Sequence, residues 1–391
     1  MTVASRRGPL GGVTVLDLST VGPAARCTRV LADYGAKVVK VGPVPSAGAE
    51  PIEPPFFAYS GHRAMSKVLM DLKDPDGREA FLVLSSVADV VVESFRPGVV
   101  DRLGIGYEDV TRRNPRIVYC STSGFGQDGP RAQTAGHDID YLAVGGYLAM
   151  STPGEEGAPP LPGATVADAA AGGLHAALAI TAALAGRAMS GHGAYLDVSV
   201  ADGVLWLMSL AIDEHLALGN APGPGHDVLS GRFACYGTYR AGDGTWLAVG
   251  AIEHKFFANL CRALGHPELV DRQFEDEAQP AIRHAFAAAF AGRPRAQWLE
   301  ILGDDTCVAP VLSPGDVEHD AGFAARRTVV TASHPERGAF RQLAPLLAGM
   351  ERPGEPIELP DPTRTETAHL LKEAGVDGET IARWTGRRVV A

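Results

Sequence analysis

The chain of 391 residues contains no run of 18 or more apolar residues, which argues against a membrane-spanning helix. Cysteine is scarce: five residues, at 27, 120, 235, 261 and 307, with no C-x-x-C pair. An odd, scattered set speaks against both a disulfide framework and a cysteine zinc site, and fits a reducing cytoplasm. Positive charge is also in short supply. A net charge of −11 disfavours nucleic acid as a partner, because a phosphate backbone needs a basic footprint. A phosphorylated small ligand stays possible, since it needs only a few local lysines or arginines. The opening MTVASRRGPLGG carries two arginines but no apolar stretch, so no secretory leader is expected. The G-x-S-x-G elbow of serine hydrolases is missing, and His175, His192, His215 and His226 show no i, i+4 pairing suited to a metal.

What is present reads as an α/β protein. Val13–Ser19 is a β-branched, apolar strand, Ala24–Tyr34 has helical spacing and ends at Gly35, and Lys37–Val41 is the next strand. The alternation recurs with a helix around Asp76–Val87 and strands at Ala88–Val92 and Arg116–Cys120. Strands alternating with helices imply a parallel sheet covered on both faces. An Ala-rich helix is expected from Asp168 to about Leu184, broken by Gly186. After it come a strand at Tyr195–Val200 and a helix near Leu205–Leu218. The Pro/Gly-rich stretch 220–231 is the best linker candidate. It divides a large Rossmann-like domain (1–219) from a smaller α+β domain (232–325), with 326–391 returning to the large one. In the smaller domain, strands at Tyr236–Arg240 and Trp246–Gly250 flank a Gly-Asp-Gly hairpin turn.

Three polar sites draw attention. Gly124–Tyr141 (GFGQDGPRAQTAGHDIDY) packs glycines, His137 and two aspartates between ordered elements. The glycines would let backbone amides approach a ligand, but His137-Asp138 at a helix start is also ordinary capping chemistry. Asp168 opens an Ala/Gly-rich helix in GATVADAAAGGL; it reads as an N-cap or as an acid, base or nucleophile set beside a ligand. Glu253 follows a strand in GAIEHKFF, where active-site groups often emerge and where helix-capping acids also sit.

Several of these segments together resemble the class III coenzyme A transferase family, and within it the α-methylacyl-CoA racemase branch. GPLGGVTVLDLS, VLADYGAKVVKV, VVESFRPGVVDRLGIGYEDV and RIVYCSTSGFGQDGPRAQTAGHDIDY occur in the family's order, and the likeness reaches to about Pro310. GHDIDY and GAIEHKFF are the racemase-like marks, because transferases of the family usually lack that histidine. The resemblance implies that His137 is the base on one face of an acyl-CoA α-carbon and Asp168 the acid–base group on the other, with Glu253 supporting the histidine. A thioester α-proton is too weakly acidic for one base alone, so two bases and a stabilised enolate oxygen share the barrier. Amides at the helix start near Asp168 are the expected oxyanion donors.

By the same resemblance, coenzyme A is held by Val21, Met70, Leu72, Lys73, Phe95 and Arg96. Arg102 and the segment Gly136, Asp138 and Tyr141 complete the set. Coenzyme A is part of the substrate, no separate cofactor or metal is implied, and the partner is a second copy of the chain in an interlocked homodimer. The family's Asp-Arg-Pro run after the second strand is replaced here by Val41-Gly42-Pro43-Val44, so a nucleotide-binding arginine is missing. Lys40 or a residue of the shortened loop 43–55 is the candidate replacement. ADAAAGG is also less glycine-rich than usual, which implies a different shape beside the α-carbon. A coenzyme A transferase with Asp168 as nucleophile, and a non-catalytic acyl-CoA binder, are the competing expectations.

Overall fold

The computed structural model describes residues 8–45, 54–153, 157–350, 352, 354 and 356–391. Residues 46–53 of the Pro-rich loop expected to help hold a nucleotide lie outside the described residues. The chain forms two compact units. One takes in the chain up to Gly145 with Pro162–Ser209 and Gly322–Ala391; the other is Gly146–Leu161 with Leu210–Ala321.

The first unit begins with β1 (Thr14–Asp17), α1 (Gly22–Asp33), β2 (Lys37–Gly42), β3 (Met65–Leu69), α2 (Pro75–Val87) and β4 (Val90–Glu93). Two short helices follow, α3 (Val99–Leu103) and α4 (Tyr107–Thr111), then β5 (Val118–Ser123) and α5 (Asp138–Val144). Six strands pair in parallel in the order β3-β2-β1-β4-β5-β6, where β6 is Ala194–Ser199. Successive residues of each strand serve opposite faces. Leu16, Val39, Val68, Val91 and Tyr119 pack with Phe81 of α2 and with Leu371 and Trp384 of the C-terminal segment. Val15, Val38, Val90 and Val118 pack with Cys27 and Leu31 of α1 and with Ala176 and Ile180 beyond Asp168. Burial on both faces explains why these strands read as continuous apolar runs; each fully buried valine or leucine contributes about 1.5–3 kcal/mol.

The C-terminal segment is tied to the edge of this sheet. Met70 bridges Val390, Asp71 N donates to Val389 O at 2.8 Å, and Arg387 pairs with both Asp74 and Asp76. Two helical pieces, Thr367–Glu373 and Gly378–Gly386, lie here. The antiparallel hairpin of Val329–His334 with Gly338–Leu343 was not foreseen.

Two corrections concern the helix after Asp168. It runs through Gly186 to Ser190, because one helical glycine costs only about 1 kcal/mol against alanine. Its first part, Ala167–Leu174, is π-helical before it continues as an α-helix over His175–Ser190. By length and composition alone, Ala167–Ser190 is the one described helix long and apolar enough to cross a membrane. One side of it is packed within the unit: a Cβ on Gly172 would meet Pro23 Cβ of α1 at 2.5 Å, and one on Gly173 would meet Arg26 Cβ at 2.8 Å.

In the second unit, strands Tyr236–Arg240 and Trp246–Gly250 form the expected hairpin. Asp243 accepts from Thr245 N and Oγ1, and Gly244 adopts a positive φ of 83° in the turn. Phe257, Phe286 and Phe290 fill its core.

Candidate active site

The sheet order reverses between β1 and β4, so the loops leaving their C-terminal ends part and open a crevice, the usual ligand position in such sheets. Val21 follows β1, Met70, Leu72 and Lys73 follow β3, Phe95 and Arg96 follow β4, Gly136 ends the loop after β5, and Asp138 and Tyr141 lie at the start of α5. The topology therefore sets every residue expected to hold coenzyme A at one edge of the sheet, apart from Arg102 on α3. Arg102 still reaches back toward that edge: a Cβ on Gly98 would lie 3.3 Å from its Nη1. Val21, Lys73, Arg96 and Arg102 are exposed, Leu72 and Phe95 are half-buried, and Met70 is buried in the core.

The turn after β5 is built on glycine. Tyr141 donates from its hydroxyl to Gly136 O at 2.6 Å and packs its ring edge-to-face on Phe125. A Cβ on Gly124 would meet that ring at 2.5 Å, and one on Gly136 at 2.8 Å. Burial, and then the negative charge of Asp168, push the Tyr141 hydroxyl up to about 12. It therefore stays a donor at neutral pH.

His137 is the exposed N-cap residue of α5, and its amide donates to the Asp140 carboxylate at 2.9 Å. Asp138, next in the chain, accepts from Asp168 N at 2.8 Å. This bond joins the start of α5 to the π-helical turn and brings His137 and Asp168 into one corner. The Asp168 carboxylate, half-buried, has no hydrogen bond or ion pair among the described residues. It is not the N-cap that its sequence position suggested. Burial raises its pKa and Asp138 raises it further, while Arg26 and His137 pull it back down. Asp168 N is taken by Asp138 and Ala169 N by Thr165 O at 3.0 Å, so these amides are not free for an oxyanion. Asp138 N and Ile139 N, in the first turn of α5, have no acceptor among the described residues.

Sequence reasoning missed Arg26. Its Nη2 donates to Thr165 Oγ1 at 2.5 Å, and its guanidinium lies 5.6 Å from the Tyr59 ring centre. Tyr59 in turn accepts from Gly22 N at 2.9 Å. Only the fold brings α1 against the π-helical turn, so no local pattern could have paired Arg26 with Asp168.

Lys40, the candidate for the missing cation, is committed elsewhere. Its Nζ lies 2.8 Å from Asp17, whose side chain is wholly buried and would be left uncompensated without it. Asp17 also accepts from Ser19 N and Oγ and from Thr28 Oγ1, which fixes the loop after β1. The guanidinium that does reach the segment after β2 is Arg388, donating to Pro45 O at 3.1 Å. It lines a cavity of about 370 Å³ with Val44, Leu69 and Thr363.

Glu253, in the second unit, is the N-cap residue of the helix His254–Ala263 but makes no side-chain cap. Its charge, after burial, raises the pKa of the exposed Cys307 thiol. The described residues contain no cluster of three or more His, Cys, Asp or Glu placed to hold a metal.

The family model for CoA-transferase family III matches residues 10–367. The chain belongs to CoA-transferase family III. Among curated members of the family, it is 36% identical over 389 residues to the α-methylacyl-CoA racemase of Homo sapiens, covering 97% of each chain. It is 31% identical over 397 residues to the acetyl-CoA:oxalate CoA-transferase of Acetobacter aceti, covering 96% of each. The crystal structure of a CaiB/BaiF family protein from Brucella suis superposes with a TM-score of 0.75 at 26% identity, over 94% of this chain and 99% of that one. The family III fold, with its six-stranded parallel sheet and smaller additional sheets, matches the α/β architecture expected from the sequence.

Proposed function

We propose that this family III enzyme is a racemase or epimerase of 2-methylacyl-CoA thioesters, working by two-base proton transfer through an enolate. The observation that carries the reading is the corner itself, where His137 and an unpartnered Asp168 are joined through the Asp138–Asp168 bond. One group removes the α-proton while the other delivers a proton to the opposite face. Burial and the neighbouring Asp138 raise Asp168 above an ordinary carboxylate, which makes it a stronger proton acceptor. The unpaired amides of Asp138 and Ile139 are the donors for the enolate oxygen, in place of those beside Asp168. In this reading Glu253 supports His137 across the dimer, from the second copy of the chain.

Coenzyme A belongs to the substrate and no further cofactor is invoked. Its phosphates meet Lys73, Arg96 and Arg102, and Arg388 supplies the cation that the segment after β2 lacks. The partner is a second copy of the chain in an interlocked homodimer, in the cytoplasm. Exposed Leu174, Leu178 and Trp206, 50%, 67% and 75% accessible, are the apolar surface such a partner would cover. Incubation of 2-methylacyl-CoA thioesters in D₂O tests the activity: deuterium enters the α-position if the reading holds, and no incorporation with any branched acyl-CoA rejects it.

The second reading, a coenzyme A transferase, is favoured by the same free Asp168 carboxylate and by the similarity to the oxalate transferase. Asp168 would attack the thioester carbonyl to give a mixed anhydride and release coenzyme A thiolate. Hydroxylamine trapping at Asp168 in the presence of acyl-CoA would identify it.

A further inference from the structure

Glu93 is a carboxylate that neither proposed reaction uses, yet it is almost wholly buried, with 1% of its surface accessible. It ends β4, at the strand pair where the sheet order reverses. Its Oε2 accepts from Phe95 N at 2.7 Å, and it is hydrogen-bonded to the Ser121 side chain of β5. The turn so held runs over Ser94–Gly98, where Val99 N donates to Arg96 O at 3.1 Å and Gly98 adopts a positive φ of 80°. Phe95 packs half-buried on the core while Arg96, next to it, stays exposed. A buried carboxylate is costly, and here the hydrogen bond it accepts from the turn offsets that cost in a way no apolar residue could.

We propose that Glu93 is a positioning residue for coenzyme A: its ionised carboxylate fixes the Ser94–Gly98 turn so that Phe95 and Arg96 meet the nucleotide end of the ligand. The inference rests on the acyl-CoA reading above but not on whether the enzyme is a racemase or a transferase.

The groups facing Glu93 are Tyr119 and Cys120 of β5, Tyr195 and Asp197 of β6, and Asp101 of α3. Burial raises Glu93 to about 7 against the two hydrogen bonds, and the Asp101 and Asp197 charges add to the rise. Burial also raises Tyr119 and Tyr195 and lifts the Cys120 thiol to about 12, so all three stay neutral between pH 6 and 8. Over that interval the bond from Phe95 N changes from charge-assisted to neutral as Glu93 takes up its proton. The hold on the turn is therefore strong above pH 7 and weaker below it.

Equilibrium binding of coenzyme A itself, by calorimetry at pH 6, 7 and 8, tests the role with the full-length protein. Glu93→Gln keeps an oxygen for Phe95 N and stays neutral at every pH. It should bind coenzyme A about fivefold more weakly than the native protein at pH 8 and nearly equally at pH 6. Asp197→Asn, which removes one of the charges that raise Glu93, should keep a pH-dependent affinity but move its midpoint to lower pH. An affinity difference between Glu93→Gln and the native protein that is absent or constant across pH overturns the proposal. Missing α-hydrogen exchange in a native protein that binds coenzyme A overturns the racemase reading alone.

Discussion

Asp17 and Asp168 lie at two corners of the same sheet edge, and the folded chain treats them in opposite ways. Asp17, the last residue of β1, is wholly buried and accepts from Lys40, Ser19 and Thr28, so its charge is spent on holding a loop. Asp168, at the π-helical turn, is only half-buried, and its carboxylate has no partner among the described residues. Burial alone does not mark a chemical acid; a carboxylate left without partners beside other titratable groups is the stronger sign.

The largest effects should separate these two corners. Asp168→Asn should lower α-hydrogen exchange by about 10²–10⁴-fold, measured in D₂O, with little loss of stability, because no partner is orphaned. Asp17→Ala should do the reverse. Leaving Lys40 without its partner should cost about 3–5 kcal/mol in denaturant unfolding, as expected for one half of a buried ion pair. If both variants lose only activity or only stability, the contrast between the corners fails.

How the site tunes Asp168 gives a finer comparison. Arg26 lowers its pKa and Asp138 raises it. A proton-accepting Asp168 loses activity as pH falls through its raised pKa. Removing the cation in Arg26→Ala should therefore move the acid limb of the exchange profile to higher pH. Asp138→Asn, which keeps an oxygen for Asp168 N, should move it to lower pH. Shifts in the same direction would show that the two residues act on the fold rather than on Asp168. The smallest expected effect is at the sheet edge: Arg388→Ala should raise KM for an acyl-CoA by a few-fold, as for one exposed phosphate contact, with kcat nearly unchanged.

Much of the fold was legible because buried parallel strands must be apolar on both faces. VTVLD and KVVKV could hardly be anything else. Met65–Leu69 was harder: MSKVL mixes a serine and a lysine into a five-residue strand. The π-helical turn left no trace either, since its spacing follows from the close fit of Gly172 and Gly173 on α1 rather than from local propensity. At the site, the chemistry of His137 and Asp168 taken alone suggested two caps; the structure gives His137 the N-cap position and withholds it from Asp168. Arg26 and Lys40 were beyond a linear reading because their partners, Thr165 and Asp17, lie 139 and 23 residues away.

The decisive measurement follows a single enantiomer of a 2-methylacyl-CoA in D₂O with the native enzyme and with His137→Ala, recording deuterium uptake and configuration together. Two-base chemistry predicts that the native enzyme incorporates deuterium and interconverts the enantiomers. His137→Ala should stop interconversion while Asp168 still exchanges the proton of the one enantiomer it faces. Full racemisation by His137→Ala, or native enzyme that forms a hydroxylamine-trapped adduct at Asp168 with no deuterium uptake, would contradict it.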